Sequence, residues 1–194
     1  MSPRLAALVI VFAAFAVLAD EATFVFHSEE DASTPPDAAV CAQAPFTANV
    51  KLGAGLWSLK TRKRNGRVVD EKRRRIGTAT ACLELTNVLF PAGLAQRFYV
   101  RFDLPQGAYV AEGTCTVASN AVPQPFIILA GCTLKLVSGP SGSLGGLVTS
   151  ASLFNPLARP GFATGSMWTL HEYLAPGTTR GGRGPHGHGH HDDD

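Results

Sequence analysis

Hydrophobic and polar positions alternate along most of this chain, with the two-residue period of β-strands. The clearest instance is Gln96 to Val117, QRFYVRFDLPQGAYVAEGTCTV. Arg97-Phe98-Tyr99-Val100-Arg101-Phe102 switches between polar or amphipathic and apolar side chains, as a strand with two unlike faces requires. Leu104-Pro105-Gln106-Gly107 then breaks the pattern: proline fixes φ at the start of a turn and glycine tolerates a positive φ at its end. Ala108 to Val117 resumes it with Tyr109, Val110, Thr114 and Thr116, residues suited to a half-buried pleated surface.

The same reading predicts strands over Pro45–Lys60, Ile76–Thr86, Phe126–Val137, Leu147–Phe154 and Ser166–Leu174, the last with Trp168, Leu170 and Tyr173 placed for burial. Lys60 to Arg75 reads as a polar hairpin around Asn65-Gly66, the dipeptide preferred in a two-residue type I′ turn. Pairing Arg64 with Arg67 sets Lys60 opposite Glu71, a favourable cross-strand pair. Asn87–Ala95, Ser138–Gly146 and Asn155–Gly165 read as loops. No amphipathic helix of useful length and no internal repeat is present. About eight strands at this spacing predict an all-β fold, a single antiparallel eight-stranded β-barrel, with a β-sandwich as the competing architecture.

The two ends differ from the middle. Residues 1–19 read as a signal peptide: Arg4, an apolar run from Leu5 to Leu18, and compact residues at Val17-Leu18-Ala19. That run is shorter than the roughly 20 residues a membrane-spanning helix takes, so no stable membrane span is expected after cleavage, and the protein is expected to be secreted. Residues 20–44, acidic and proline-containing, read as an extended leader, and residues 45–175 as the barrel domain. Residues 176–194, rich in histidine, glycine and aspartate, read as a disordered tail.

Composition alters this picture in two ways. The 194 residues carry 17 Lys+Arg against 15 Asp+Glu, a formal charge of +2, which argues against nucleic acid as the main partner. Cys41, Cys82, Cys115 and Cys132 make an even set, in an oxidising compartment two disulfides with three possible connectivities. Cys115 and Cys132 sit on segments expected to pair as a hairpin, which favours Cys115–Cys132 and leaves Cys41–Cys82.

Three stretches resemble the allene oxide cyclase-like barrel family, which includes the dirigent proteins. They are Gly77-Thr78-Ala79-Thr80-Ala81, the hairpin Phe102-Asp103-Leu104-Pro105-Gln106-Gly107 with Ala111-Glu112-Gly113, and Ile128 to Ser152 with a turn at Gly145-Gly146. The resemblance covers about residues 45–173; Ala130-Gly131-Cys132-Thr133 stands where the family has a glycine-glycine-threonine-glycine run. Gly55-Leu56-Trp57 is similar to the glycine-x-tryptophan signature of lipocalins. Either likeness implies a barrel holding one small hydrophobic ligand. The first also implies cofactor-free cyclisation or stereochemical steering, and homo-oligomeric assembly.

Catalysis or ligand orientation in such a barrel needs ionisable groups turned into the lumen, where burial shifts their pKa. The candidates are Glu84, Tyr99, Arg101, Asp103 and Glu112, with Tyr99, Arg101 and Glu112 as the ligand-binding set. Tyr99, Arg101 and Asp103 share one strand face, while Phe98, Val100 and Phe102 share the other; alternation favours the aromatic face as the interior. His171 reads as structural or exposed. No cofactor motif, nucleophile elbow or phosphate loop occurs. The concentrated metal-ligand set is His186, His188, His190 and His191 in the tail. Those histidines, with the basic run Lys60 to Arg75, define a second class of function: a non-enzymatic surface or matrix protein contacting metals or polyanions.

Overall fold

The computed structural model describes residues 19–180. Eight strands follow in chain order: β1 (Asp20–Glu30), β2 (Val50–Arg64), β3 (Arg67–Glu84), β4 (Ala95–Leu104), β5 (Gly107–Ser119), β6 (Ile128–Ser138), β7 (Ser143–Phe154) and β8 (Gly165–Leu174). One short helix, α1 (Ala38–Cys41), lies between β1 and β2. Each strand pairs antiparallel with the next, and β1 pairs with β8 from Asp20↔Leu174 to Glu29↔Gly165, so the sheet closes into a ring. The expectation of an antiparallel eight-stranded sheet holds, and both disulfides join the expected cysteines, Cys41–Cys82 and Cys115–Cys132.

The membership of the ring corrects the sequence reading in three places. Residues 20–30, expected in a leader, form β1 and supply the closing strand. Their inward positions Phe24, Phe26 and Ser28 alternate with Thr23, Val25, His27 and Glu29, an alternation that the neighbouring acidic residues masked. The basic hairpin is no separate pair of strands. It is the far end of β2 and β3, joined at Asn65-Gly66, whose φ values of 49° and 75° are the positive pair a type I′ turn needs. Arg64↔Arg67 and Lys60↔Glu71 pair as the sequence predicts. Finally, Gly145 and Gly146 lie inside β7 instead of in a turn. Gly146 is there for close approach: a β-carbon on it would stand 1.9 Å from the His171 carbonyl oxygen of β8.

Inside the ring, one side chain in two points inward from every strand. Phe26, Leu56, Val100, Phe102, Ala111, Leu134, Val148, Trp168 and Leu170 form a continuous core at 3% exposure or less. Phe102 packs edge-on against both Phe26 and Trp168, with ring centroids 5.2 and 5.1 Å apart, a favoured aromatic geometry.

The two ends of the ring differ. At one end sit the β4–β5 and β6–β7 turns and both termini of the described chain, and this end is sealed by a polar network. Glu172 of β8 is fully buried. Arg180 donates to it from Nε and Nη2 (3.1 and 2.8 Å), and Tyr109 Oη donates to Glu172 Oε2 at 3.3 Å. Arg180 also donates to the Ser141 and Pro140 carbonyls. Residues 176–180, expected within a disordered tail, therefore fold back over this end, anchored also by Gly177 N donating to Asp20. The rest of the predicted tail, with His186, His188, His190 and His191, and nearly all of the predicted signal peptide lie outside the described residues. Among the described residues no helix is long and apolar enough to cross a membrane.

Two predictions follow from the sealed end. Arg180→Ala leaves a buried carboxylate without its cation, a loss that costs about 3–5 kcal/mol in comparable pairs; denaturant unfolding should show a lowered midpoint, and an unchanged midpoint would contradict the pairing. Burial, reinforced by the Glu172 charge and opposed by Arg180, pushes the Tyr109 phenol up from 10 to about 12. With the folded pKa raised, its stabilisation is whole below about pH 10 and is lost as pH rises through about 12. A phenolate absorbance titration should show a late component that Tyr109→Phe removes.

Candidate functional site

The opposite end is open. Here the longer connections emerge, β1–β2, β3–β4, β5–β6 and β7–β8, and the packed core stops short of the rim. The lumen widens into a funnel with a cavity of about 140 Å³, lined by residues from all eight strands. Its floor is Trp168, Phe98 and the Cys115–Cys132 disulfide. The disulfide faces inward because Cys115 and Cys132 are direct cross-strand partners at lumen-facing positions of β5 and β6.

Two unlike walls rise from that floor. On β2, β3 and β5 the wall is aliphatic: Leu52, Ala54, Ala81, Leu83 and Val117. On β1, β8 and β7 three serines are laterally paired, Ser28↔Ser166 and Ser166↔Ser152. Trp168 Nε1 donates to Ser28 Oγ at 2.9 Å and Ser166 Oγ donates to Ser152 Oγ at 2.8 Å. Ser150 Oγ lies 2.9 Å from Ser152 Oγ. Gln96, itself buried, adds an amide, and Glu30 stands exposed at the rim. Phe90 and Phe154 meet at the lip, 5.7 Å between centroids. The β7–β8 loop is held in shape by buried Asn155, whose amide donates to the Arg159 and Phe162 carbonyls and accepts from Arg159 N.

Chemically, this funnel offers shape, an apolar wall and a strip of hydroxyls. Among the described residues, these serines hydrogen-bond to one another and to the Trp168 indole, not to a histidine or carboxylate. What the funnel can do is desolvate an apolar group and orient it through one hydrogen-bonding edge.

Tyr99, Arg101 and Glu112 come together elsewhere. Tyr99 and Glu112 are cross-strand partners and Arg101 is two residues along β4, but all three face the outer wall. The lumen side of β4 belongs to Phe98, Val100 and Phe102, which bury more apolar surface there. The alternation reading, with Phe98, Val100 and Phe102 inside, therefore holds, and the ligand-binding candidates Tyr99, Arg101 and Glu112 lie outside the lumen. Tyr99 packs under α1 with Val40, Cys41 and Cys82, where the Cys41–Cys82 disulfide pins the helix to β3. Burial and Glu112 push its phenol up, against Arg101. Arg101 pairs with Asp103 at 2.8 Å and Glu112 with Lys135 at 2.8 Å, half-exposed pairs of the kind worth about 0–1 kcal/mol. Glu84 meets Arg97 at 3.5 Å, also outside. His171 is an outer-face residue with its Nδ1 2.9 Å from Thr23 Oγ1.

Sequence reasoning missed the lining of the funnel and the sealed Glu172. Parity carried the signal for the second: Trp168, Leu170, Glu172 and Leu174 share one face of β8, and Tyr173, expected to be buried, is 43% exposed. The funnel lining is spread over eight strands, and no local motif marks it. No protein-family model, curated protein or solved structure matches this chain.

Because they lie outside the ring, Arg101→Ala and Glu112→Ala should leave binding in the funnel unchanged. Equilibrium titration of either variant with a funnel ligand checks this; a large loss of affinity in either would place the site on the outer wall.

Proposed function

We propose that this chain is a ligand-binding barrel that takes the apolar end of a small amphipathic molecule into its single open mouth. The reading rests on one observation, the one-ended funnel with an aliphatic wall facing a hydroxyl strip. Its volume of about 140 Å³ is close to that of an apolar cavity which accepts a benzene-sized molecule, about 150 Å³. Whole ligand pockets run to about 300 Å³ or more, so one ring or a short branched chain enters while the remainder stays in the mouth. The strip from Ser28 to Ser152 selects for a hydroxyl or carbonyl on the inserted group.

The allene oxide cyclase and dirigent likeness is the same idea carried one step further. If the barrel acts on its ligand, it does so by holding one conformation of a reactive molecule against the apolar wall and the serine strip. The two disulfides fit a secreted protein.

The test uses Trp168 as a reporter. Trp57 and Trp168 are the two tryptophans, so Trp57→Phe leaves the funnel floor as the one indole emitter. Titration with cyclohexanol, and with a longer ring-bearing alcohol, should shift its emission saturably. Ala81→Phe, which fills the funnel, should abolish the shift while the far-ultraviolet circular dichroism stays the same. An emission unmoved by either alcohol, or moved equally in Ala81→Phe, contradicts the reading.

A further inference from the structure

A different feature points to a second kind of partner. Past the ring, β2 and β3 continue as a free two-stranded ribbon. Pairing of β1 with β2 stops at Phe26↔Ser58, and pairing of β3 with β4 begins only at Thr78↔Asp103, so both ribbon edges are unpaired. Lys60 to Arg75 holds nine cationic side chains against Asp70 and Glu71, and the register sorts the outer ones by face. Lys60↔Glu71, Arg62↔Val69 and Arg64↔Arg67 share one face, and Thr61↔Asp70 and Lys63↔Val68 the other. The first face therefore carries four cations to one carboxylate, while the second has one of each.

Pairing within the ribbon leaves most of that charge free. Arg62 bridges Glu71, the single carboxylate of its face. Lys60, Arg64 and Arg67 have no carboxylate partner among the described residues. Arg64 and Arg67 stand directly opposite each other at the turn, an arrangement that destabilises a hairpin unless an anion lies between the two guanidiniums. Along β2, alternate residues recur every ~6.6 Å, so Lys60, Arg62 and Arg64 form a row of like charge that follows the twist of the ribbon. The base of the ribbon is held separately: Lys72 reaches Glu29 and lies over the Trp57 ring, and Arg75 bridges Asp31 at 3.1 Å. The row is thus carried on an anchored arm.

We propose that this face of the ribbon binds a linear sulfated polysaccharide along the row Lys60, Arg62, Arg64 with Arg67 beside it. The fit is one of charge and shape: a narrow cationic strip, in which Lys60, Arg64 and Arg67 have no carboxylate partner among the described residues, matched to a linear polyanion. Two other polyanions fit less well. Single-stranded nucleic acid is held by stacking on aromatic side chains, and the face has none. An anionic bilayer is held by apolar residues inserted beside the cations, and Val69 is the one apolar residue on the face.

The test compares two variants of equal charge, each assayed as the full chain for binding to heparin at neutral pH and about 0.15 M ionic strength. One replaces Lys60, Arg64 and Arg67 by serine; the other replaces Lys63, on the opposite face of the ribbon, with Lys51 and Lys135, which lie off the ribbon, by serine. The first should bind about tenfold more weakly than wild type or worse, and the second should stay close to wild type, because contact geometry adds to net charge. Equal losses would reduce the effect to bulk charge and overturn the assignment. The wild-type protein alone supplies a second arm: desulfated heparin should fail to bind. Binding to it as tight as to heparin, or tighter binding to duplex DNA or to phosphatidylserine vesicles, would also overturn the proposal.

Discussion

Closure of the sheet through β1 and β8 is the constraint on which everything else depends. Ten consecutive residue pairs, from Asp20↔Leu174 to Glu29↔Gly165, join the first strand to the last. Without them the sheet has two open edges, and the inward face of each strand has nothing to pack against. With them, side chains from all sides share one interior, and Phe26, Phe102 and Trp168 interlock across it. That interlocking consumes the middle of the lumen. Whatever chemistry remains is confined to the two ends.

Those ends have opposite solutions to the same problem. At one, a buried glutamate is met by an arginine that the chain brings back from beyond its last strand. Isolated, the Glu172 carboxylate would be costly to bury; paired, it fixes the C-terminal segment over the ring and removes that end from solvent. At the other end the long connections hold the rim apart, and the filling stops at Trp168 and the inward-facing disulfide. In the proposed function, a lumen with one sealed and one open end directs a ligand by geometry alone, its apolar group entering at the loops and stopping at the indole. The cationic arm is anchored outside the ring on Glu29 and Asp31, and none of its residues lines the funnel, so the two proposed ligands would occupy separate surfaces.

Much of this architecture was legible in the sequence, and the reasons are local. The β4–β5 hairpin has strict alternation and a Pro-Gln-Gly turn, and the ribbon turn has Asn-Gly; in both, one or two residues dictate backbone geometry. The disulfide pairing followed from the hairpin that brings Cys115 to Cys132. What escaped was set by distant contacts. The Phe24-Val25-Phe26 segment becomes a strand only because β8 and β2 lie ready to flank it. Arg180 reads as one more charge in a glycine-rich tail until Glu172 is known to be buried. The inward side of β4, by contrast, was legible: alternation sets Phe98, Val100 and Phe102 inside, and that places Tyr99, Arg101 and Glu112 outside. The funnel has no signature in any one segment, because each strand contributes only two to four residues to it.

The most direct test of a one-ended lumen is methyl-resolved nuclear magnetic resonance during titration with cyclohexanol. The account predicts saturable shifts at the Leu52, Leu83, Val117 and Ile128 methyls around the mouth, with Leu136 and Leu174 near the sealed end unmoved. Shifts spread over outer-face methyls such as Val25 and Leu144, or centred on the sealed end, would contradict it.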